Sequence, residues 1–104
     1  MRFRVILLMI VCSFTMLSGC VYSGYNLRAG IKNFQIQNYR KAFVRLMPEA
    51  IKGQPDAEYA VGYMYYYGQG VVEDRQKAAY WIGCAARAGQ PDAILAIKIV
   101  EHQR

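Results

Sequence analysis

Past residue 19 the side chains able to attack a substrate or hold a metal are few: Ser23, His102, Cys20 and Cys84, with no threonine at all. Nucleophilic catalysis needs a nucleophile held by a base. Ser23 and His102 stand near opposite ends of the chain, and no second imidazole exists to replace His102. Metal binding needs ligands at set spacings, and Glu101-His102 is a lone adjacent pair without an HxxxH or CxxC companion. The neighbouring carboxylates Glu73 and Asp74 precede a helical pattern, where an acid serves as a cap. These residues predict no enzyme, no metal and no cofactor.

Cys20 has a different setting. Arg2 and Arg4 open the chain, an apolar run follows from Val5 to Leu17, and the run ends in Leu17-Ser18-Gly19-Cys20. A basic start, a short apolar core and small residues before a cut are the parts of an export signal. The Leu-Ser-Gly-Cys sequence resembles the signal of bacterial lipoproteins. That resemblance implies cleavage before Cys20, acylation of its thiol (palmitate among the chains) and, with Val21 rather than aspartate next, sorting to the outer membrane of a Gram-negative envelope, facing the periplasm. The expected organisation is a signal peptide over 1–19, a lipidated tether over 20–37 and a folded module over 38–104. No charge occurs from Val5 through Leu27, so an uncleaved membrane helix is the alternative, with plain secretion a third. Ser18, Gly19, Ser23, Gly24 and Asn26 make the second half of that stretch a poor lipid-facing surface.

The rest of the chain is enough for one small domain. Thirteen Lys and Arg against seven Asp and Glu give a net charge of +6, and loss of Arg2 and Arg4 with the signal leaves +4. Read along the chain the cations are scattered, so nucleic acid is not an expected partner. With Cys12 in the signal and Cys20 acylated, Cys84 has no partner for an intrachain disulfide. Its neighbours Trp81, Ile82 and Ala85 favour burial over an intermolecular bridge.

Gly-Gln-Pro-Asp-Ala occurs at 53–57 and again at 89–93, an offset of 36 residues. The same offset pairs Lys41-Ala42 with Lys77-Ala78, Ala50 with Ala86, and Ala60 with Ala96. Periods of this length mark solenoids, whose units bury their apolar faces against one another. Ala57, Ala60, Val61 and Met64 lie at helical spacing after Pro55, a residue suited to a first turn. Gly68 ends that helix and Gly70 lets the loop turn back. Asp74 caps the next helix, which aligns Ala78, Trp81, Ile82, Ala85 and Ala86 and closes at Gly89. The predicted helices are 38–52, 55–67, 75–88 and 91–102.

Ala57, Gly62, Met64-Tyr65, Gly68-Gln69-Gly70-Val71, Asp74, Lys77-Ala78-Ala79, Trp81, Ala85-Ala86 and Gly89 together resemble the Sel1-like repeat, a relative of the tetratricopeptide repeat. One whole repeat spans about 54–89, with half repeats on either side. The implied fold is all-α, a short α/α solenoid of antiparallel helix pairs. Val61 stands where leucine is usual. Arg45 takes the place of Trp81 in the upstream half repeat. Solenoids usually need about three repeats, so this one is expected to lean on a partner, on a second copy or on the Tyr22–Gln37 segment.

Tyr59, Tyr63, Tyr66 and Tyr67 recur near i, i+4, i+7 and i+8. Tyrosine gives large contact area at low entropic cost and is enriched where proteins meet. In the family the first helices line the concave surface, so the resemblance implies that Tyr59, Tyr63 and Tyr67 touch a partner, although tyrosine there is also common framework. The expected function is a non-catalytic, membrane-anchored adaptor for another envelope protein. An inhibitor or immunity-type protein blocking one enzyme, and a self-associating structural lipoprotein, are the alternatives.

Overall fold

The two helix-to-helix corners at Gly53-Gln54 and Gly89-Gln90 follow from local chemistry in the repeated Gly-Gln-Pro sequence. A computed structural model describes the backbone from Arg2 to Gln103 and the side chains apart from those of Leu8 and residues 10–23. It contains α1 (Arg2–Gln35), α2 (Tyr39–Ile51), α3 (Pro55–Tyr67), α4 (Arg75–Arg87) and α5 (Pro91–His102). Gly53 and Gly89 adopt φ of +90° and +88°, which closes the preceding helix at little steric cost. The next amide, of Gln54 or Gln90, bonds back to Glu49 or Ala85 at 3.0 Å. The same glutamine then starts the following helix: its side-chain oxygen accepts from the amide of Ala57 at 2.8 Å or of Ala93 at 2.6 Å. Proline in the first turn removes an amide that would have no partner there. The repeated pentapeptide is thus a complete helix-to-helix corner. The glutamine cap was not among the sequence expectations, because glutamine is not a preferred N-cap residue.

The α3–α4 corner is longer. Gly68 closes α3 at φ +67°, and Asp74 caps α4 by accepting from the Lys77 amide at 3.0 Å. Between them Gly70, at φ +74°, passes so close to the start of α2 that a Cβ would sit 2.6 Å from the Tyr39 carbonyl. A side chain is excluded there twice over, by backbone conformation and by space.

Each helix packs on its neighbours in chain order, the arrangement of an α/α solenoid. Ala42, Leu46, Ala50, Ala57, Val61 and Met64 form one buried cluster between α2 and α3, with Trp81 and Tyr65 packed against it. Ala79, Ile82, Ala85, Ala93 and Val100 form a second between α4 and α5. Small residues set the spacing: a Cβ on Gly62 would lie 2.6 Å from Ile82 Cγ1 and 3.0 Å from the Ile82 backbone nitrogen. Backbones of α3 and α4 therefore touch nearly directly.

The tether expectation needs correcting. Residues 20–35 have helical backbone, and the described second half of that stretch packs on α2. Leu27 and Phe34 join the first buried cluster, and Gly30 lies against Leu46 so closely that a Cβ would meet Leu46 Cγ at 2.6 Å. Asn26, only 6 % exposed, accepts a hydrogen bond from Arg45 at 3.1 Å. Of the three supports expected for a short array, the one within the chain is the Tyr22–Gln37 segment, which supplies the missing first helix of the upstream unit. Arg45, at the place where the full repeat has Trp81, ties α1 to α2 by that bond and by lying 6.0 Å from the Tyr25 ring centre. Among the described residues no helix is long and apolar enough to cross a membrane. The side chain of Cys20, expected to carry lipid, lies outside the described residues.

Candidate functional site

Tyrosines four and seven residues apart on one helix must share a face, and four of the five on α3, all but Tyr65, have that spacing. Tyr59 and Tyr63 have ring centres 6.2 Å apart, Tyr63 and Tyr67 4.7 Å, and Tyr66 and Tyr67 4.9 Å. Phe34 of α1 meets Tyr63, in the middle of the row, edge-on at 5.9 Å. With Ile82 of α4 and Ala96, Ile99 and Val100 of α5 the four tyrosines line a groove of about 140 Å³. Val61 does not belong to this surface: it is fully buried on the α2 side.

One of the tyrosines is held by polar partners. The Tyr66 hydroxyl donates to Gln103 Oε1, and the Arg75 guanidinium lies 3.8 Å from the centre of the Tyr66 ring while its Nη1 reaches the same oxygen at 3.1 Å. Arg75 is itself fixed by Glu73 at 3.0 Å. Burial pushes the Tyr59 phenol above its ordinary value of 10.0, and the negative charge of Asp92 pushes the same way, with Tyr63 and Tyr67 adding to it. The hydroxyl therefore stays a neutral donor and acceptor over any physiological pH. Tyr67 is the most open of the row at 57 % exposed. The surface offers aromatic faces, phenol hydroxyls and an aliphatic floor, a combination suited to a partly apolar polypeptide.

Of the expected site residues, Tyr59, Tyr63 and Tyr67 come together on this groove. Gly62, Ala78 and Ala85 lie in the helix packing beneath and beside it, with Gly68, Gly70, Asp74 and Gly89 in the corners. Trp81 is half-buried against the first cluster and meets Tyr80 edge-on at 5.2 Å. Ala86 packs on the second. Phe34 and the α5 residues were not anticipated, since nothing in the α3 periodicity points to other helices.

Of the groups that could do chemistry, the described ones, Cys84 and His102, lie on different helices, α4 and α5. His102 is exposed at the end of α5, far along the chain from Ser23, whose side chain is among those not described. Cys84 is a free thiol, half-buried rather than fully so, and Arg87 Nη2 donates to its sulfur at 3.3 Å. Among the described residues no group of three His, Cys, Asp or Glu side chains could hold a metal ion. Against known families, residues 55–90 match the Sel1 repeat model. No curated protein and no solved structure matches the chain.

Proposed function

We propose that this chain, which carries a Sel1 repeat at residues 55–90, is a non-catalytic adaptor that holds a protein partner close to a bacterial envelope membrane. Sel1 repeats generally mediate protein–protein interaction. The observation that carries the reading is the groove that Tyr59, Tyr63, Tyr66 and Tyr67 of α3 form with Ile82 of α4 and Ile99 and Val100 of α5. Its aromatic rings and aliphatic floor match a partner segment with apolar side chains spaced along a helix or strand. Membrane attachment is supported by the resemblance of Leu17-Ser18-Gly19-Cys20 to a lipoprotein signal. Before cleavage at that signal, Phe3, Val5, Ile6, Leu7 and Met9, each more than half exposed on α1, would present an apolar surface to lipid. Acyl chains on Cys20, at about 0.8 kcal/mol per buried methylene, would make the attachment durable.

The test uses the full chain, with Tyr59, Tyr63 and Tyr67 replaced together by alanine. If the variant keeps its helical circular dichroism but loses the proteins that copurify with the parent from detergent-solubilised envelopes, the reading stands. Retention of every partner would sink it. Radioactive fatty acid separately tests the anchor, since a protein left unlabelled in its native host cannot be acylated on Cys20.

A second reading has its own observation. The outer face of α5 exposes Ile94 at 45 % and Leu95 at 70 %, beside Ile99 of the groove. Self-association through that face would cover them. A strict monomer by light scattering counts against it.

A further inference from the structure

Charge in this chain is not scattered once acids and bases are counted together. All seven acidic side chains lie at Glu49 or beyond, whereas seven of the thirteen basic ones lie before it. Residues 1–48 therefore carry cations only, and the remainder is close to neutral. Asymmetry of this kind marks a surface that meets an anionic partner.

The fold gathers part of that charge into a second cavity, away from the tyrosines. Between α1 and α2 lies an open groove of about 830 Å³. Arg40, Lys41 and Arg45 line it from α2, with Asn26 and Asn33 from α1 and Asn38 from the turn between the helices. No carboxylate lines it. Lys41 and Arg45 are four residues apart, so they project from one face of the helix. Arg45 is oriented by Asn26 at 3.1 Å, and Asn33 Nδ2 is turned onto the Ala29 carbonyl at 2.7 Å. Arg28 and Lys32 are also exposed on α1, but they fall on the side of that helix opposite Asn26 and Asn33.

We infer that this groove binds the phosphate headgroups of anionic phospholipid in the membrane that holds the chain's N-terminus. The inference rests on the membrane attachment proposed above. It adds that the module lies down on the bilayer through α1 and α2. Continuity argues for lipid over other anions, because α1 is one helix from Arg2 to Gln35. From Cys20 to Asn26 is six residues, about 9 Å of helix. That is about one Debye length at physiological salt. A headgroup beside the anchor is thus within electrostatic reach, whichever form the attachment takes. With α2 facing the membrane, the tyrosine groove on α3 and α5 remains free for a protein.

The full chain in a non-ionic detergent is titrated with short-chain phosphatidylglycerol and, in parallel, with short-chain phosphatidylcholine, and bound lipid is read by native mass spectrometry. The parent binds the anionic lipid preferentially, and the preference shrinks as salt rises. Arg40→Gln combined with Lys41→Gln weakens phosphatidylglycerol binding by about fivefold per charge, roughly 25-fold together, and leaves phosphatidylcholine binding unchanged. Val44→Glu, a change at an exposed lining position, produces a comparable loss by repulsion. Arg28→Gln combined with Lys32→Gln has little effect. Equal loss in that control overturns the groove in favour of diffuse charge. Absence of any anionic preference in the parent also overturns it, as does tighter binding of polyglutamate, which would assign the groove to an acidic polypeptide. Flotation of the full chain with pure phosphatidylcholine vesicles reports the anchor alone, so failure of the anchor and failure of the groove give different results.

Discussion

Gly62→Ala tests the closeness of α3 and α4, on which the groove geometry depends. In a solvated helix the change would gain about 0.8–1 kcal/mol, because alanine has the better helix propensity. Here the new Cβ would meet Ile82 Cγ1 at 2.6 Å, the Ile82 nitrogen at 3.0 Å and the Ala78 carbonyl oxygen at 3.2 Å. Two of those three atoms are backbone, so rotation of a side chain cannot clear them. Separation of the helices would open the buried seam around Ala78 and Ile82 instead. Overpacking costs about 1–3 kcal/mol, and two backbone contacts that cannot rotate away put this case at about 2–3 kcal/mol. Less the propensity gain, the net loss is about 1–2 kcal/mol, or roughly 5–15 °C in Tm for a domain this size. Gly83→Ala is the matched control. It too is a buried mid-helix glycine, but its Cβ would meet only Arg87 Nη1 at 3.5 Å and Ile97 Cδ1 at 3.7 Å, ordinary contacts. That variant should gain up to about 1 kcal/mol. Thermal unfolding of both, followed by circular dichroism at 222 nm, gives shifts of opposite sign. Equal shifts, or a Gly62 variant as stable as the parent, would refute the close seam.

Gln37 is the one non-glycine residue of the described chain with positive φ, +63°, so Gln37→Gly should stabilise by about 1 kcal/mol in a urea titration, through relief of a left-handed conformation. Gln90→Ala removes a cap on the Ala93 amide and should cost about 1 kcal/mol, whereas Gln90→Asp, which can still cap, should recover part of it. Tyr59 has a folded pKa raised above 10.0 by burial and by Asp92. Its stabilising contribution is complete below that value and is lost as pH climbs through the folded pKa. Melting temperatures should therefore fall more steeply above about pH 10 in the parent than in Tyr59→Phe, and parallel curves would count against the assignment.

The three helices from Pro55 onward were legible because their punctuation is local. Proline, glycine and Asp74 each act within one turn, and the repeated pentapeptide shows the same corner twice. The helix over residues 24–35 was not legible as a repeat unit, for a geometric reason. The α1–α2 turn has three residues, Ile36–Asn38, where the α3–α4 loop has seven, Gly68–Asp74. Leu46 and Ile82 keep the 36-residue offset, but their glycine partners Gly30 and Gly62 are 32 apart, one helical turn out of register. An alignment at 36 residues pairs the wrong positions of α1, and the turn lacks the Gly-x-Gly signal as well. The tyrosine face was visible on α3 alone. Phe34, Ile99 and Val100 join it through the packing of α1 and α5, which no periodicity within α3 encodes. Cys84 is half-buried rather than fully so, and the Arg87 guanidinium one turn later donates to its sulfur.

The central claim is that the tyrosine groove receives a protein. Tyr67 and Tyr80 are almost equally exposed, at 57 % and 60 %, but Tyr67 belongs to the groove on α3 and Tyr80 to α4 outside it. A photoreactive amino acid placed at either position of the full chain, in its native host, compares the two surfaces directly. The account predicts a discrete crosslinked adduct from position 67 and none from position 80. Adducts from position 80 alone, or equally from both, would contradict it.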